Sequence, residues 1–279
     1  MKHNGTLLST SRRLIMIKIH FLGTCSGTEP MKNMHHTSTL LDVGGSLYWF
    51  DAGECCVHTA VTSGIDIMKS EAIFVTHPHI DHIGGLANLL FVFDKMIRMH
   101  KRSLPNGNTL EVFFPEHNTF EAIKTIALSG RVSLGDFRFA LNEHGISDGV
   151  IYDDGKVRVK AKSNHHLKDD GADGVFHAFS YLVEAEGKRI LLSGDVKSPS
   201  ELDYLISDGV DLLVMETGHH KVSDVCEYAV SHNVKALRLN HHGREILGNR
   251  AAAEELIASY AERYGISIKL AYDGMTEEY

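Results

Sequence analysis

The stretch Thr76-His77-Pro78-His79-Ile80-Asp81-His82 decides the fold of this chain. It follows the apolar run Ala72–Val75 and precedes Gly84-Gly85, after which a helical pattern begins. The two histidines of the H-x-H pair alternate and can face one cation, whereas the Asp-His pair after them can turn towards a second. Imidazole and carboxylate ligands suit zinc, manganese or iron. The stretch therefore predicts a metal-binding loop at the C-terminal end of a strand.

The composition is that of a globular protein with an excess of histidine. Of its 279 residues, 43% are hydrophobic, which is enough for a sizeable core. The net charge of -8 argues against a generally basic surface that coats nucleic acid. The chain has 19 histidines beside only 28 lysines and arginines. Because histidine is the commonest metal-binding side chain, this excess favours a metal site.

Short β-branched runs alternate with helical patterns along the whole chain, and no low-complexity linker divides it. This order predicts an α/β (α+β) fold in which two sheets pack face to face with helices outside. We expect residues 16–279 to form one domain. Residues 1–15 are predicted to be a disordered or artefactual extension. The stretch Asp94–Asn108 is basic and is predicted to be a solvated connection, with a substrate-facing loop as the alternative.

The apolar runs are too short to cross a bilayer, and no secretory signal is evident at the start of the chain. The four cysteines form no C-x-x-C pair. These features favour a reduced, cytoplasmic protein without membrane attachment.

Three later elements also place potential ligands at the ends of strands. Asn164-His165-His166 follows Val157–Lys162, and Ser193-Gly194-Asp195 ends the strand that begins at Arg189. Asn240-His241-His242 follows Ala236–Leu239 in the same way. Each element alone is weak, because a histidine after a strand is commonly an ordinary polar residue. Their order along the chain makes them informative.

The H-x-H-x-D-H stretch followed by these elements resembles the signature of the metallo-β-lactamase superfamily. The resemblance implies a four-layer αββα sandwich that holds two divalent metal ions, with zinc favoured over manganese or iron. It implies that one ion is held by His77, His79 and His165, the other by Asp81, His82 and His241, and that Asp195 bridges them. His166 and His242 remain alternatives. His165 and His241 are favoured because each directly follows the asparagine that ends its strand.

Further motifs narrow the resemblance to the ribonuclease Z-like branch, which contains tRNA 3′-processing endonucleases and small-molecule phosphodiesterases. They are Phe21–Gly27, Phe50–Glu54, Ile73–His77 and Ala271–Gly274. The chain departs from that branch in two ways. The turn Glu186-Gly187-Lys188 leaves no room for the long tRNA-binding arm, and Glu245 stands where the branch has an arginine, with Arg244 one residue early.

The resemblance implies a dinuclear hydrolase that acts through a metal-bound hydroxide, and we expect a phosphodiesterase for a small or single-stranded phosphodiester. Asp81 would ligate a metal and orient the nucleophile. Glu216 and His220 would protonate the leaving group, and His219 is the alternative to His220. Glu216 could instead only cap local backbone. Rival functions are a tRNA 3′-endonuclease, a lactonase or ester hydrolase, and a non-catalytic metal-binding module. Nucleic acid is a less favoured partner than a small substrate, and a homodimer stays open.

Overall fold

The computed structural model describes residues 16–27, 31–128, 136–168 and 174–279. The predicted extension at residues 1–15 lies outside them. The described strands are β1 Ile17–Gly23, β2 Ser38–Val43, β3 Ser46–Phe50, β4 Ser70–Phe74, β5 Thr109–Phe113, β6 Ala140–His144, β7 Gly149–Asp153, β8 Val157–Ser163, β9 Phe179–Ala185, β10 Lys188–Leu192, β11 Leu212–Thr217, β12 Ala236–His242, β13 Ser267–Leu270 and β14 Met275–Glu278.

Helices connect and cover these strands. They are α1 Cys56–Thr62, α2 Ile80–Ile83, α3 Leu86–His100, α4 Pro105–Asn108, α5 His117–Ala127, α6 Asp203–Ile206, α7 Val222–Ser231, α8 Arg244–Gly248 and α9 Arg250–Tyr264, with 3₁₀ turns at Ile67–Lys69 and Pro199–Leu202. None of the helices in the described ranges is long and apolar enough to span a membrane.

The strands form two seven-stranded sheets with the orders β14-β1-β2-β3-β4-β5-β6 and β13-β12-β11-β10-β9-β8-β7. Strand β4 shows how the sequence builds the layers, because successive side chains of a strand point to opposite faces. Ala72 and Phe74 enter the core between the sheets, whereas Ile73 packs in the core that α1, α3 and α5 cover. On the other sheet, Leu213 and Met215 of β11 pack against α7 and α9. The predicted four-layer αββα sandwich is therefore confirmed.

Several local predictions differ from the structure. The apolar run Phe137–Leu141 predicts a strand, whereas in the structure β6 begins three residues later, at Ala140. The stretch Asp94–Asn108 is not one connection, because its first seven residues complete helix α3. Asp94 is buried there and accepts a hydrogen bond from Arg138 Nη1 at 2.9 Å. The amphipathic periodicity of α3 outweighs the basic residues at its end, which occupy its exposed face.

The topology brings the ends of several strands to one edge of the sandwich. Strands β3 to β6 run parallel to one another, and so do β10 to β13. In open parallel sheets, ligands bind beyond the carboxyl ends of the strands. The segments that follow β4, β8 and β10, together with the last residues of β12, carry the predicted metal-binding residues.

Candidate metal centre

Asp51 anchors the loop that follows β4. Its Oδ1 accepts the backbone N–H of Thr76 at 2.7 Å, and its Oδ2 accepts the Thr76 hydroxyl at 2.8 Å. The same Oδ2 lies 2.7 Å from His82 Nδ1, which donates to it. Holding Nδ1–H in this way leaves Nε2 of His82 free to face a metal ion.

A first group of ligand atoms comes from His77, His79, His166 and Asp195, and all four atoms lie within 4.8 Å of one another. His77 Nε2 lies 2.9 Å from His79 Nδ1, and His166 Nε2 lies 3.2 Å from the same atom. Asp195 Oδ2 lies 3.8 Å from His77 Nε2 and 3.7 Å from His166 Nε2. Three nitrogens and one oxygen therefore converge on one point.

A second group comes from Asp81, His82 and His241. Asp81 Oδ2 lies 3.1 Å from His241 Nε2 and 3.6 Å from His82 Nε2. Asp195 belongs here too, because its Oδ1 lies 3.4 Å from His82 Nε2 and its Oδ2 lies 3.5 Å from His241 Nε2. Asp195 is thus the carboxylate that lies within reach of both groups, and the family resemblance implies a bridging role for it.

These residues fit a pair of metal ions. A tetrahedral shell with bonds of about 2.1 Å separates its ligands by about 3.4 Å, which matches the distances above. His82 Nε2 and Asp195 Oδ1 are buried and have no hydrogen-bond partner in the described structure. Burying a polar atom without a partner costs free energy. A bound cation would be the missing partner of both atoms.

The choice between His165 and His166 is a correction to the sequence prediction. His165 points outward with a 58% exposed side chain, and its Nδ1 lies 2.7 Å from Glu201 Oε1. The side chain of His166 is only 9% exposed and faces the cluster. The cause is a turn at buried Asn164, whose Oδ1 accepts the backbone N–H of His166 at 3.0 Å. Because of this turn, His166 faces the side that His165 would face if the strand continued.

The second double histidine is arranged as expected, and a β-bulge explains it. Glu216 pairs with Asn240 and Thr217 pairs with His242, so His241 is the extra residue of β12. Its φ is 49°, in the left-handed region. Such bulges re-aim a side chain next to a functional site. His241 consequently faces the cluster, while His242 Nε2 donates to the carbonyl of Ala271 at 2.8 Å.

Glu216 is buried at the end of β11 and faces two histidines. Its Oε1 and Oε2 lie 3.1 and 3.2 Å from His219 Nδ1. His220 Nε2 lies 3.3 Å from Oε1 but donates to the carbonyl of Val196 at 3.0 Å. The structure thus places His219, the alternative to His220, beside the metal ligands, with its Nδ1 3.7 Å from Asp195 Oδ2. Which of the two histidines protonates the leaving group stays a prediction. Gly218 allows this turn, because a β-carbon there would lie 2.5 Å from His241 Nδ1.

The charges of the centre depend on its neighbours. Burial opposes ionisation of Asp195, yet the imidazoles of His241 and His82 hold its pKa below the ordinary value. Burial would lower the pKa of His82, but Asp195 and Asp51 raise it well above the ordinary value. The hydrogen bond to Glu216 raises the pKa of His219. The protonated histidines and the ionised carboxylates thus stabilise one another's charges. A bound metal cation would take the place of the protons on the imidazoles.

Two cavities open beside the centre, and His219 borders both. One has a volume of about 330 Å³. It is lined by four residues of the two ligand groups and by their neighbours, which are Ser26, Gly27, His79, Ile80, Asp81, Asp195, Gly218, His219 and His241. The other has about 420 Å³ and is lined by His165, His166, Leu167, Lys168, Val196, Lys197 and His219. A small molecule can therefore reach the shared carboxylate, and two lysines stand at the rim of the larger cavity.

We predict that Asp51→Asn weakens metal binding by about 10–100-fold, as expected for the loss of a partner that orients a ligand. The neutral amide accepts fewer hydrogen bonds than the carboxylate that now holds Thr76 and His82. Competition with a chelator measures the affinity. Asp66→Asn alters a surface pair with Arg102 and the cap at the backbone N–H of Met68, and it contacts none of the metal ligands. It is the control and should leave the affinity for the metal unchanged. Equal affinities in both variants would contradict the role of Asp51.

Comparison with known proteins agrees with this architecture. A ribonuclease Z of Methanothermobacter thermautotrophicus is 26% identical over 320 residues, which cover 94% of this chain and 97% of that protein. The human tRNase Z short form superimposes with a TM-score of 0.68 at 19% identity, covering 93% of this chain and 98% of that one. Yeast PDE1 gives a TM-score of 0.64 at 13% identity, with coverages of 94% and 99%. This protein is therefore a metal-dependent hydrolase of the metallo-β-lactamase superfamily, in its ribonuclease Z-like branch.

A family model described as "Anti-Pycsar protein Apyc1" matches residues 17–221, and the chain belongs to that family. The match includes the stretch from His77 to His82 and also His166, Asp195 and His219. It ends before His241, the second group's last histidine.

Proposed function

We propose that this protein is a phosphodiesterase that acts on a small or single-stranded phosphodiester, such as a cyclic nucleotide, with two divalent ions of which zinc is favoured. The observation that carries the proposal is the pair of ligand groups that share Asp195 beside an open cavity. Two cations held by these groups would neutralise the charge of a phosphodiester during in-line displacement.

When bound, the ions would neutralise charge on the phosphoryl group and acidify a water molecule. His77, His79, His166 and Asp195 would hold one of them, and Asp81, His82, His241 and Asp195 the other. Asp81 lines the smaller cavity, so its carboxylate can also accept a proton from the attacking water and orient it. Asp51 acts through His82 by fixing the orientation of its ring.

His219 is the residue we propose as the acid that protonates the leaving oxygen. Because Glu216 accepts its Nδ1–H, the Nε2 of His219 is directed away from that carboxylate, and the residue borders both cavities. Fixing one ring nitrogen in this way also fixes the tautomer. Glu216 is then a positioning residue, and His220 supports the backbone of Val196.

The connection between β9 and β10 favours a small substrate. Glu186 and Gly187 alone join the strands, with φ values of 47° and 75° that are typical of a tight hairpin turn. No arm can extend from this position. The alignment with the archaeal ribonuclease Z runs over 320 residues, more than the 279 of this chain, so the relative carries insertions.

Processing of tRNA 3′ ends is the second candidate, because the curated relatives carry the name ribonuclease Z. Lys168 and Lys197 at the rim of the larger cavity would then contact the RNA backbone. A salt dependence of binding would accompany this function, since phosphate contacts release counterions.

The purified protein with its metals should be assayed with a chromogenic phosphodiester, cyclic nucleotides, precursor tRNA, a lactone and a β-lactam. We expect hydrolysis of the phosphodiesters and little cleavage of precursor tRNA. Efficient cleavage at tRNA 3′ ends would favour the second candidate. Lactone hydrolysis without phosphodiester hydrolysis would overturn the proposal.

Substitution of the two neighbouring histidines tests the acid. His219→Ala should lower turnover by about 10²–10⁴-fold for a substrate with an alkoxide leaving group, the usual contribution of a general acid. The loss should be much smaller for nitrophenolate, which departs without a proton, and metal content should persist. His220→Ala is the matched control and should show no dependence on the leaving group. Equal losses of His219→Ala for both leaving groups would contradict the acid role.

A further inference from the structure

A separate cluster of metal-ligating side chains consists of His35, Glu54 and Cys55. One ligand atom from each residue lies within 4.8 Å of the other two. His35 Nδ1 lies 3.4 Å from Glu54 Oε1, and all three residues are at least partly exposed. Imidazole, carboxylate and thiolate together form a donor set that suits zinc.

We propose that His35, Glu54 and Cys55 bind an additional zinc ion, separate from the catalytic pair, with water in the remaining position. Three protein ligands and a water are a common zinc shell. The groups at the catalytic centre contain histidine and carboxylate side chains but no cysteine, so the thiolate distinguishes the new site chemically. The inference does not depend on the substrate of the enzyme.

The backbone of His35 is held on two sides. Its N–H donates to Asp273 Oδ2 at 2.6 Å, and its carbonyl accepts the N–H groups of Thr24 and Cys25 at 2.9 and 2.8 Å. A ligand on a rigid backbone loses little freedom when it binds an ion. The carboxylate of Asp273 also adds negative charge near the cluster, which favours a cation.

The two carboxylate oxygens of Glu54 make different contacts. Oε2 accepts the backbone N–H of His36 at 2.7 Å and lies 2.9 Å from His36 Nδ1. Oε1 faces only the longer contact to His35 Nδ1 at 3.4 Å. One oxygen thus ties the segment before β2 in place, while the other remains available as a ligand.

Cys55 occupies a backbone conformation that glycine would adopt more easily. Its φ is 62°, in the left-handed region where a β-carbon is unfavourable. The thiol is exposed, whereas Cys25, Cys56 and Cys226 are buried. An unfavourable backbone that presents an exposed metal-binding side chain is typical of functional positions.

The site lies directly behind the catalytic loop. Ala52 N–H donates to the carbonyl of His82 at 2.7 Å, and Gly53 N–H donates to the carbonyl of Thr37 at 3.0 Å. An ion on His35, Glu54 and Cys55 would link the segment of His35 to the segment of Glu54 and Cys55, which supports His82 through Ala52. We therefore expect it to stabilise the fold and to contribute no group to the reaction.

Cobalt(II) added to the zinc-loaded enzyme provides a test whose readout is not activity. Binding to a cysteine produces an intense near-ultraviolet thiolate-to-cobalt charge-transfer band, which histidine and aspartate ligands cannot produce. We expect one further cobalt per chain together with this band. Zinc added in competition should abolish the band and raise the melting temperature.

Cys55→Gly removes the thiol and relaxes the backbone, so the variant should fold. It should lose the band, the additional metal and the zinc-dependent rise in melting temperature, while its hydrolytic activity and catalytic metals remain. His35→Ala should weaken the additional site, and His100→Ala, an exposed histidine elsewhere, should leave it intact. Absence of the band in the natural protein, or its persistence in Cys55→Gly, would overturn the proposal.

Discussion

Asp195→Ala is expected to empty or split the metal pair and to reduce phosphodiester hydrolysis by at least about a thousandfold, since metal ions supply several kcal/mol of charge stabilisation. The physical reason is that Asp195 is the carboxylate shared by both ligand groups. It lies within 3.4 to 3.8 Å of ligand nitrogens from His77, His82, His166 and His241.

Elemental analysis of protein purified without chelator measures this loss directly. Asp208→Ala removes an aspartate whose side chain is 85% exposed and serves as the matched control, which should keep both metals. Circular dichroism should show that Asp195→Ala is folded. A full complement of two metals in folded Asp195→Ala would show that another residue bridges the ions.

His166→Ala is expected to remove the ion of the first group and to lower activity to a similar degree, while His165→Ala keeps both ions. The two residues are adjacent and chemically identical, so they form a closely matched pair. His166 Nε2 lies 3.2 Å from His79 Nδ1, whereas His165 Nδ1 lies 2.7 Å from Glu201 Oε1.

Metal content and turnover should be measured for both variants under the same conditions. A modest loss of activity in His165→Ala is compatible with the structure, because His165 lines the larger cavity. Loss of metal in His165→Ala with retention in His166→Ala would restore the ligand that strand position alone favoured.

Much of the fold followed from the sequence because its constraints are local. A buried strand, a histidine-rich loop and a glycine turn into a helix are specified by neighbouring residues, as in the stretch from Thr76 to His82. The long helical pattern that stops at Gly265 predicts a helix over Arg250–Tyr264, and helix α9 has these bounds in the structure. Short edge strands such as β7 and β14 escaped prediction because few residues define them.

The role of Asp51 could not be predicted from its position in the chain. The sequence shows only an aspartate at the end of a strand, which is compatible with a turn. In the structure it binds Thr76 and His82, residues that are 25 and 31 positions away. Similarly, His35 and Cys55 lie on separate segments, and only tertiary contacts bring them together.

The sequence by itself determined the chemical types of the catalytic ligands, their order along the chain and their location after strands. Metal chemistry restricts the types of ligand, and the parallel topology restricts their order along the chain and their location after strands. Only the tertiary structure decided which member of each histidine pair faces the metal groups. Neighbouring residues in extended chain point to opposite sides, so a shift of one residue exchanges them. The turn at Asn164 selects His166, the bulge in β12 selects His241, and the contact of Glu216 selects His219.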